Sequence, residues 1–274
     1  MKKRILSFVC CLTFLLPSMQ LQNTFASEDL DIADVDLMDI AVAEASLDDE
    51  TKVEAYTAKL QSLDDEEFDR TIVSLIKNTN DISELINRLA EYDVELNINE
   101  DGADVETMAL RPGDVNVECY AARRAGQSYY HLISNVTFDE PEAFTGSIDA
   151  LVIYFDKDKL AYYDAVAVTD GPITVASTRT YKDGYITFNL DDSYITGLDY
   201  VDDYTAAVYV TPKVYGKEAD YGTVYCHTYT TVDISVTGKI SITPAGPLGE
   251  FVFSVNPKEE SFEVSDSNAV IPIK

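Results

Sequence analysis

From Asp114 to the C-terminus the chain is a succession of short runs rich in β-branched and aromatic residues, separated by turn signals. The runs are Val115–Ala121, Tyr129–Phe138, Ile148–Phe155, Leu160–Thr169, Ile173–Tyr181, Tyr185–Leu190, Tyr204–Thr211, Thr223–Val236, Lys239–Thr243, Phe251–Val255 and Phe262–Val264. No helical period interrupts them. Many short strands spaced by turns predict a mainly β chain. The expected fold is an antiparallel β-sandwich, Ig-like or jelly-roll-like, over residues 114–274. Asp156-Lys157-Asp158-Lys159 reads as a short polar hairpin, and Asp183-Gly184 as a second hairpin signal. Ile148–Phe155 is apolar on both faces and is expected at the centre of a sheet.

The first half differs. Lys2, Lys3 and Arg4, an apolar run and a small-residue end at Ala26 have the layout of a signal peptide over 1–26. That run is too short for a membrane span of about 20 residues, so no span is expected after cleavage. Residues 27–45 read as an acidic disordered tether. Residues 46–94 read as a short helical segment of two or three helices. Ser46 and Ser62 are candidate N-caps, each followed by Asp and Glu in the first turn. Asp81 caps a further helix, with Glu84 at the capping-box position. Phe68, Ile72, Val73, Leu75 and Ile76 form one apolar face, and Ile82, Leu85, Ile86 and Leu89 another. Breakers across 95–113, among them Asp101-Gly102 and Arg111-Pro112-Gly113, read as a linker.

Charge excludes some partners. The chain carries 49 acidic residues against 20 Lys and Arg, a net −29 that becomes −32 once Lys2, Lys3 and Arg4 are removed. Such a surface repels phosphate backbones, so no nucleic acid is expected. The acid is concentrated in residues 27–110.

Cys10 and Cys11 fall in the leader, which leaves Cys119 and Cys226. Two cysteines in an exported chain read as one disulfide, with two buried thiols as the alternative. The strands around them resemble the cysteine strands of an immunoglobulin domain only in outline. Val224 stands where that family has Tyr, the chain has no Trp, and 107 positions separate the cysteines. An inter-sheet bridge is expected without membership of that family.

Alternation along Thr223–Val236 puts Tyr225, His227 and Tyr229 on one face, read as an outward row of rings suited to sugars or extended peptides. Covered rings are the competing reading. Residues 189–204 form a long acidic and aromatic connection. Its Tyr194, Tyr200, Asp199 and Asp202 are candidate ligand contacts. It has no EF-hand or nonapeptide pattern, so no metal or other cofactor is expected and Ca²⁺ is the weaker alternative. No nucleophile elbow, zinc helix or phosphate loop is present.

These features predict a secreted, extracellular, non-enzymatic binding or adhesion-type protein of a Gram-positive bacterium, with a glycan or protein ligand. Two alternatives stand beside it. In one, the acidic 27–110 segment of a precursor is cut near Met108–Pro112 to release the β domain. In the other, the chain is a secreted glycan hydrolase using paired carboxylates.

Overall fold

The computed structural model describes residues 49–98, 115–139, 146, 148–169, 171–191, 194, 203–229, 240–246 and 248–274. The expected leader, tether and most of the linker lie outside these residues. Leu47–Lys274 forms one compact unit.

Among the described residues three helices come first: α1 (Asp49–Ser62), α2 (Asp65–Asn78) and α3 (Ile82–Glu91). Asp64 caps α2 in a complete capping box with Glu67, and three acids fill the first turn. The cap is therefore not Ser62, which ends α1 with its hydroxyl on the Lys59 carbonyl. Asp81 caps α3 through the Glu84 amide, as expected.

Twelve strands follow: β1 (Val94–Ile98), β2 (Val115–Arg124), β3 (Tyr130–Phe138), β4 (Asp149–Phe155), β5 (Leu160–Ala167), β6 (Ile173–Ser177), β7 (Tyr185–Leu190), β8 (Asp203–Pro212), β9 (Lys217–Tyr229), β10 (Ser241–Pro244), β11 (Phe251–Ser254) and β12 (Glu260–Ile273). They build two antiparallel five-stranded sheets. The first has the order β1-β2-β3-β8-β5, the second β12-β9-β4-β7-β6, and β10-β11 is a separate hairpin. β4 lies at the centre of the second sheet and all seven of its residues are buried, as its two-faced apolar run implied.

Three expectations are corrected. β1 starts at the last residue of the stretch read as helical and runs into that read as linker: Val94 pairs with Arg124 and Ile98 with Tyr120. The Asp156–Lys159 turn is not a hairpin within one sheet. β4 pairs with β7 and β9, whereas β5 pairs with β8, so this turn carries the chain from one sheet to the other. Ile173–Tyr181 is not one strand, because β6 stops at Ser177 and a 3₁₀ turn, Arg179–Asp183, precedes β7. Gly184 ends that turn at φ 88, where a Cβ would stand 2.7 Å from the Phe155 carbonyl oxygen.

Three apolar layers hold the unit together. Between the sheets pack Val117, Leu132, Val136, Leu151, Phe155, Phe188, Tyr204, Tyr221 and Tyr225. Outside the first sheet, Leu60, Phe68, Ile72 and Leu89 of the helices pack on Tyr120, Ile133, Ala207 and Tyr209. Outside the second sheet, Ile242, Phe251 and Phe253 of the small hairpin cover Val152, Tyr154, Tyr185 and Val224. Both sheets are thus apolar on two faces, which is why so many runs carry long hydrophobic stretches.

Candidate functional site

The row Tyr225, His227 and Tyr229 does not face solvent. Tyr225 is 0 % exposed, His227 6 % and Tyr229 7 %. Tyr225 and Tyr229 belong to the core between the sheets, while Val224 faces the covering hairpin. The alternation holds, but the face that carries the rings is the inner one and not the outer one expected. With apolar cover on both sides of β9, alternation separates the two faces without saying which is outer.

Inside, the row is tied to Asp149 at the start of β4. The Asp149 carboxylate accepts from the Tyr225 hydroxyl, lies 2.8 Å from His227 Nδ1 and accepts from the Thr228 amide at 2.7 Å. Tyr229 donates to Glu260 at 3.0 Å, and its ring stacks on His227 at 16° between planes. A buried carboxylate needs several donors, and this one has them. The group joins β4 to β9 at the interior.

A second buried histidine ties α2 to the first sheet. His131 on β3 lies 2.7 Å from Asp69 through Nδ1 and 3.2 Å from Gln127 Oε1 through Nε2. Tyr209 donates to the other Asp69 oxygen at 2.9 Å. Asp65 pairs with Arg124 and accepts from Tyr129 at 2.7 Å. Burial raises the Asp69 carboxyl above its ordinary value, against the opposing pull of His131 and Tyr209. Burial likewise raises the Tyr209 phenol, helped by Asp69. Both histidines are enclosed by their hydrogen-bond partners, with little surface for a substrate to reach.

Cys119 and Cys226 are buried free thiols. Cys119 points into the core between the sheets, but Cys226 follows the inward-facing Tyr225 and so points out of the second sheet. The expected bridge is therefore not formed, since side chains aimed away from each other cannot be joined. Burial raises both thiols above their ordinary values, which suppresses the reactive thiolate. Neither should react with maleimide in the native protein. Both should react after denaturation, with no mass change on prior reduction. Labelling of native protein at either position would contradict this placement.

Tyr194 is 41 % exposed and lies beside Gly171. Asp199, Tyr200 and Asp202 lie outside the described residues. Among the described residues no group of three or more His, Cys, Asp or Glu could hold a metal ion, and no helix is long and apolar enough to cross a membrane.

Besides Tyr194, the exposed rings among the described residues include Tyr163, Tyr181 and Tyr215, none of which the sequence pattern singles out. Tyr163 is 58 % exposed and stacks on Tyr129 at 4.9 Å. Tyr181 is 40 % exposed and stacks on Tyr162 at 5.3 Å. Adjacent tyrosines serve opposite sides of β5 by the ordinary alternation of a strand, and Tyr163 itself is the residue that the register skips. Tyr162 packs on the core between the sheets and Tyr163 meets Tyr129 outside. Tyr162 and Tyr163 lie on β5 and Tyr181 in the 3₁₀ turn after β6; β5 and β6 each end a sheet, as do β1 and β12.

No family model matches the chain, and no curated protein does. Among solved structures it is similar to a cohesin module of a Clostridium perfringens family 33 glycoside hydrolase. That match has 10 % identity and a TM-score of 0.28, and covers 62 % of this chain and 93 % of that one. It is also similar to the sixth cohesin of Acetivibrio cellulolyticus scaffoldin B, solved with a dockerin. Here identity is 18 % and the TM-score 0.24, with 35 % of this chain and 74 % of that one covered. A third match is the N-terminal domain of a Streptococcus gordonii adhesin, at 14 % identity and a TM-score of 0.26, covering 50 % of this chain and 28 % of that one. At these scores the likeness carries no argument. The sandwich architecture rests on the strand pairing itself.

Proposed function

We propose that the chain is a secreted, extracellular binding or adhesion-type protein of a Gram-positive bacterium and not an enzyme, with a glycan or protein ligand. The division of its aromatic and ionisable groups carries this reading. The two histidines are enclosed in buried networks, whereas Tyr163 and Tyr181 stand in the open beside two strand edges. Exposed rings beside a strand edge offer flat apolar area with a polar tip. Tyr194, with Asp199, Tyr200 and Asp202 of the same connection, is a further candidate contact.

The test is retention of the secreted protein on a glycan array and on immobilised mucin. Changing Tyr163→Ala and Tyr181→Ala together is expected to weaken the strongest interaction at least tenfold, a loss of about 1.4 kcal/mol or more, with an unchanged melting curve. Retention on neither surface would sink the reading. Measurable hydrolysis of a retained glycan would replace it with the carboxylate hydrolase.

A further inference from the structure

Val175 to Arg179 line an open groove of about 460 Å³ on the side of the sandwich where β6 has no outer neighbour. The pairing of β6 with β7 skips from Val175 to Ser177, so a bulge takes Ala176 out of the ladder. Ser177 Oγ accepts the Arg179 amide at 3.2 Å and fixes the turn into the 3₁₀ segment.

The groove carries the one arginine among the described residues that has no carboxylate partner. In a chain of net −29, Arg70, Arg88, Arg123 and Arg124 each pair with a carboxylate and Arg179 does not. Lys182 beside it is likewise without such a partner among the described residues, as are Lys157, Lys213, Lys217 and Lys258. Arg179 is exposed in the groove lining, and the Lys182 ammonium lies 5.8 Å from the centre of the Tyr181 ring. The neighbouring Thr180 hydroxyl oxygen is buried without a hydrogen-bond partner among the described residues.

We propose that this groove binds the carboxylate-bearing sugar of an acidic polysaccharide. The proposal rests on the binding-protein reading and gives it a ligand class. The Arg179 guanidinium matches a carboxylate with two parallel hydrogen bonds. Thr178, exposed in the lining, supplies a hydroxyl that pairs with a sugar hydroxyl. Tyr181, held by Tyr162, offers a ring face for a pyranose. An acidic peptide satisfies the arginine equally well, but an exposed threonine hydroxyl beside a fixed ring suits a sugar better. The chain's overall charge opposes loose binding of anions, so an anion that does bind needs unpaired cations such as these.

The test is calorimetric titration of the secreted protein with tetragalacturonate and with its fully methyl-esterified form. The acid is expected to bind at least tenfold more tightly than the ester. Arg179→Gln is expected to abolish that preference and leave thermal unfolding unchanged, because the side chain is exposed. Equal binding of acid and ester overturns the proposal, as does an Arg179→Gln protein with the wild-type preference. Equal competition by a glutamate tetrapeptide makes the groove a peptide site and overturns it too. A protein held by mucin or a neutral glycan but indifferent to the acid loses this proposal alone. One held by no probe loses the binding reading as well.

Discussion

Replacing His131 with alanine is expected to destabilise the protein by about 3–5 kcal/mol, the cost of leaving a buried charge without its partner. Asp69 sits on α2 in full burial, with the imidazole at 2.7 Å and the Tyr209 hydroxyl as its other donor. Phe68 packs edge-on to the same ring and Tyr129 stacks near it, so the alanine also leaves a cavity between helix and sheet. Equilibrium denaturation measures the loss. Leucine at both Asp69 and His131 should recover most of it, because removing both partners removes the buried charge.

The loss should depend on pH. Burial holds Asp69 above its ordinary 3.8 in the folded protein. An acid with a raised folded value adds stability that is fully present below its unfolded value and lost as pH rises through the folded value. Without His131, two influences that lower Asp69 disappear, so its folded value rises further and more stability is lost toward neutral pH. The penalty of His131→Ala should therefore be larger at neutral pH than near pH 3.8. A loss below about 1 kcal/mol, the size of one ordinary hydrogen bond, and flat with pH would mean that the pair does not hold α2 to the sheet.

Much of this architecture could be read from residue pattern, and the parts that could not have a common cause. Strand composition is local, so the sandwich, the central β4 and the Asp81 cap were legible. Facing and pairing are not local. Tyr225, His227 and Tyr229 alternate clearly, but cover on both sides of β9 hid which face was inner. β1 was hidden among breakers, because Val94-Glu95-Leu96-Asn97-Ile98 becomes a strand only where β2 offers an edge. Asp69 and His131 meet across 62 positions. One signal was present: Asp69 stands three and four residues before Ile72 and Val73, within the apolar stripe of α2. An acid in such a stripe needs a buried donor, and His131 lies between the strand residues Tyr130 and Leu132. The exposed Tyr163 and Tyr181 gave no such signal, since alternation along β5 does not say which face is outer and a 3₁₀ turn carries Tyr181.

A chain beginning at residue 111 is expected not to fold as a soluble monomer. The precursor reading requires the opposite, because it releases the β domain by cutting near Met108–Pro112. The cut piece contains β1 and the helical residues Leu60, Phe68, Ile72, Val73, Ile76, Leu85 and Leu89, all buried. Each such side chain is worth about 1.5–3 kcal/mol of burial, against a net stability of about 5–15 kcal/mol for a whole domain. Its removal bares Tyr120, Ile133, Ala207 and Tyr209 on the outer face of the first sheet. It also opens the β2 edge that β1 covers. A bare apolar face beside an open strand edge favours aggregation. Gel filtration and near-ultraviolet circular dichroism of the 111–274 fragment should show aggregate and no cooperative unfolding. A nick at 108–112 in the intact protein should instead leave both pieces co-eluting, held by the helix–sheet layer and the Asp69–His131 pair. A monomeric 111–274 fragment with a sharp melt would restore the precursor reading and make the helices a removable cover.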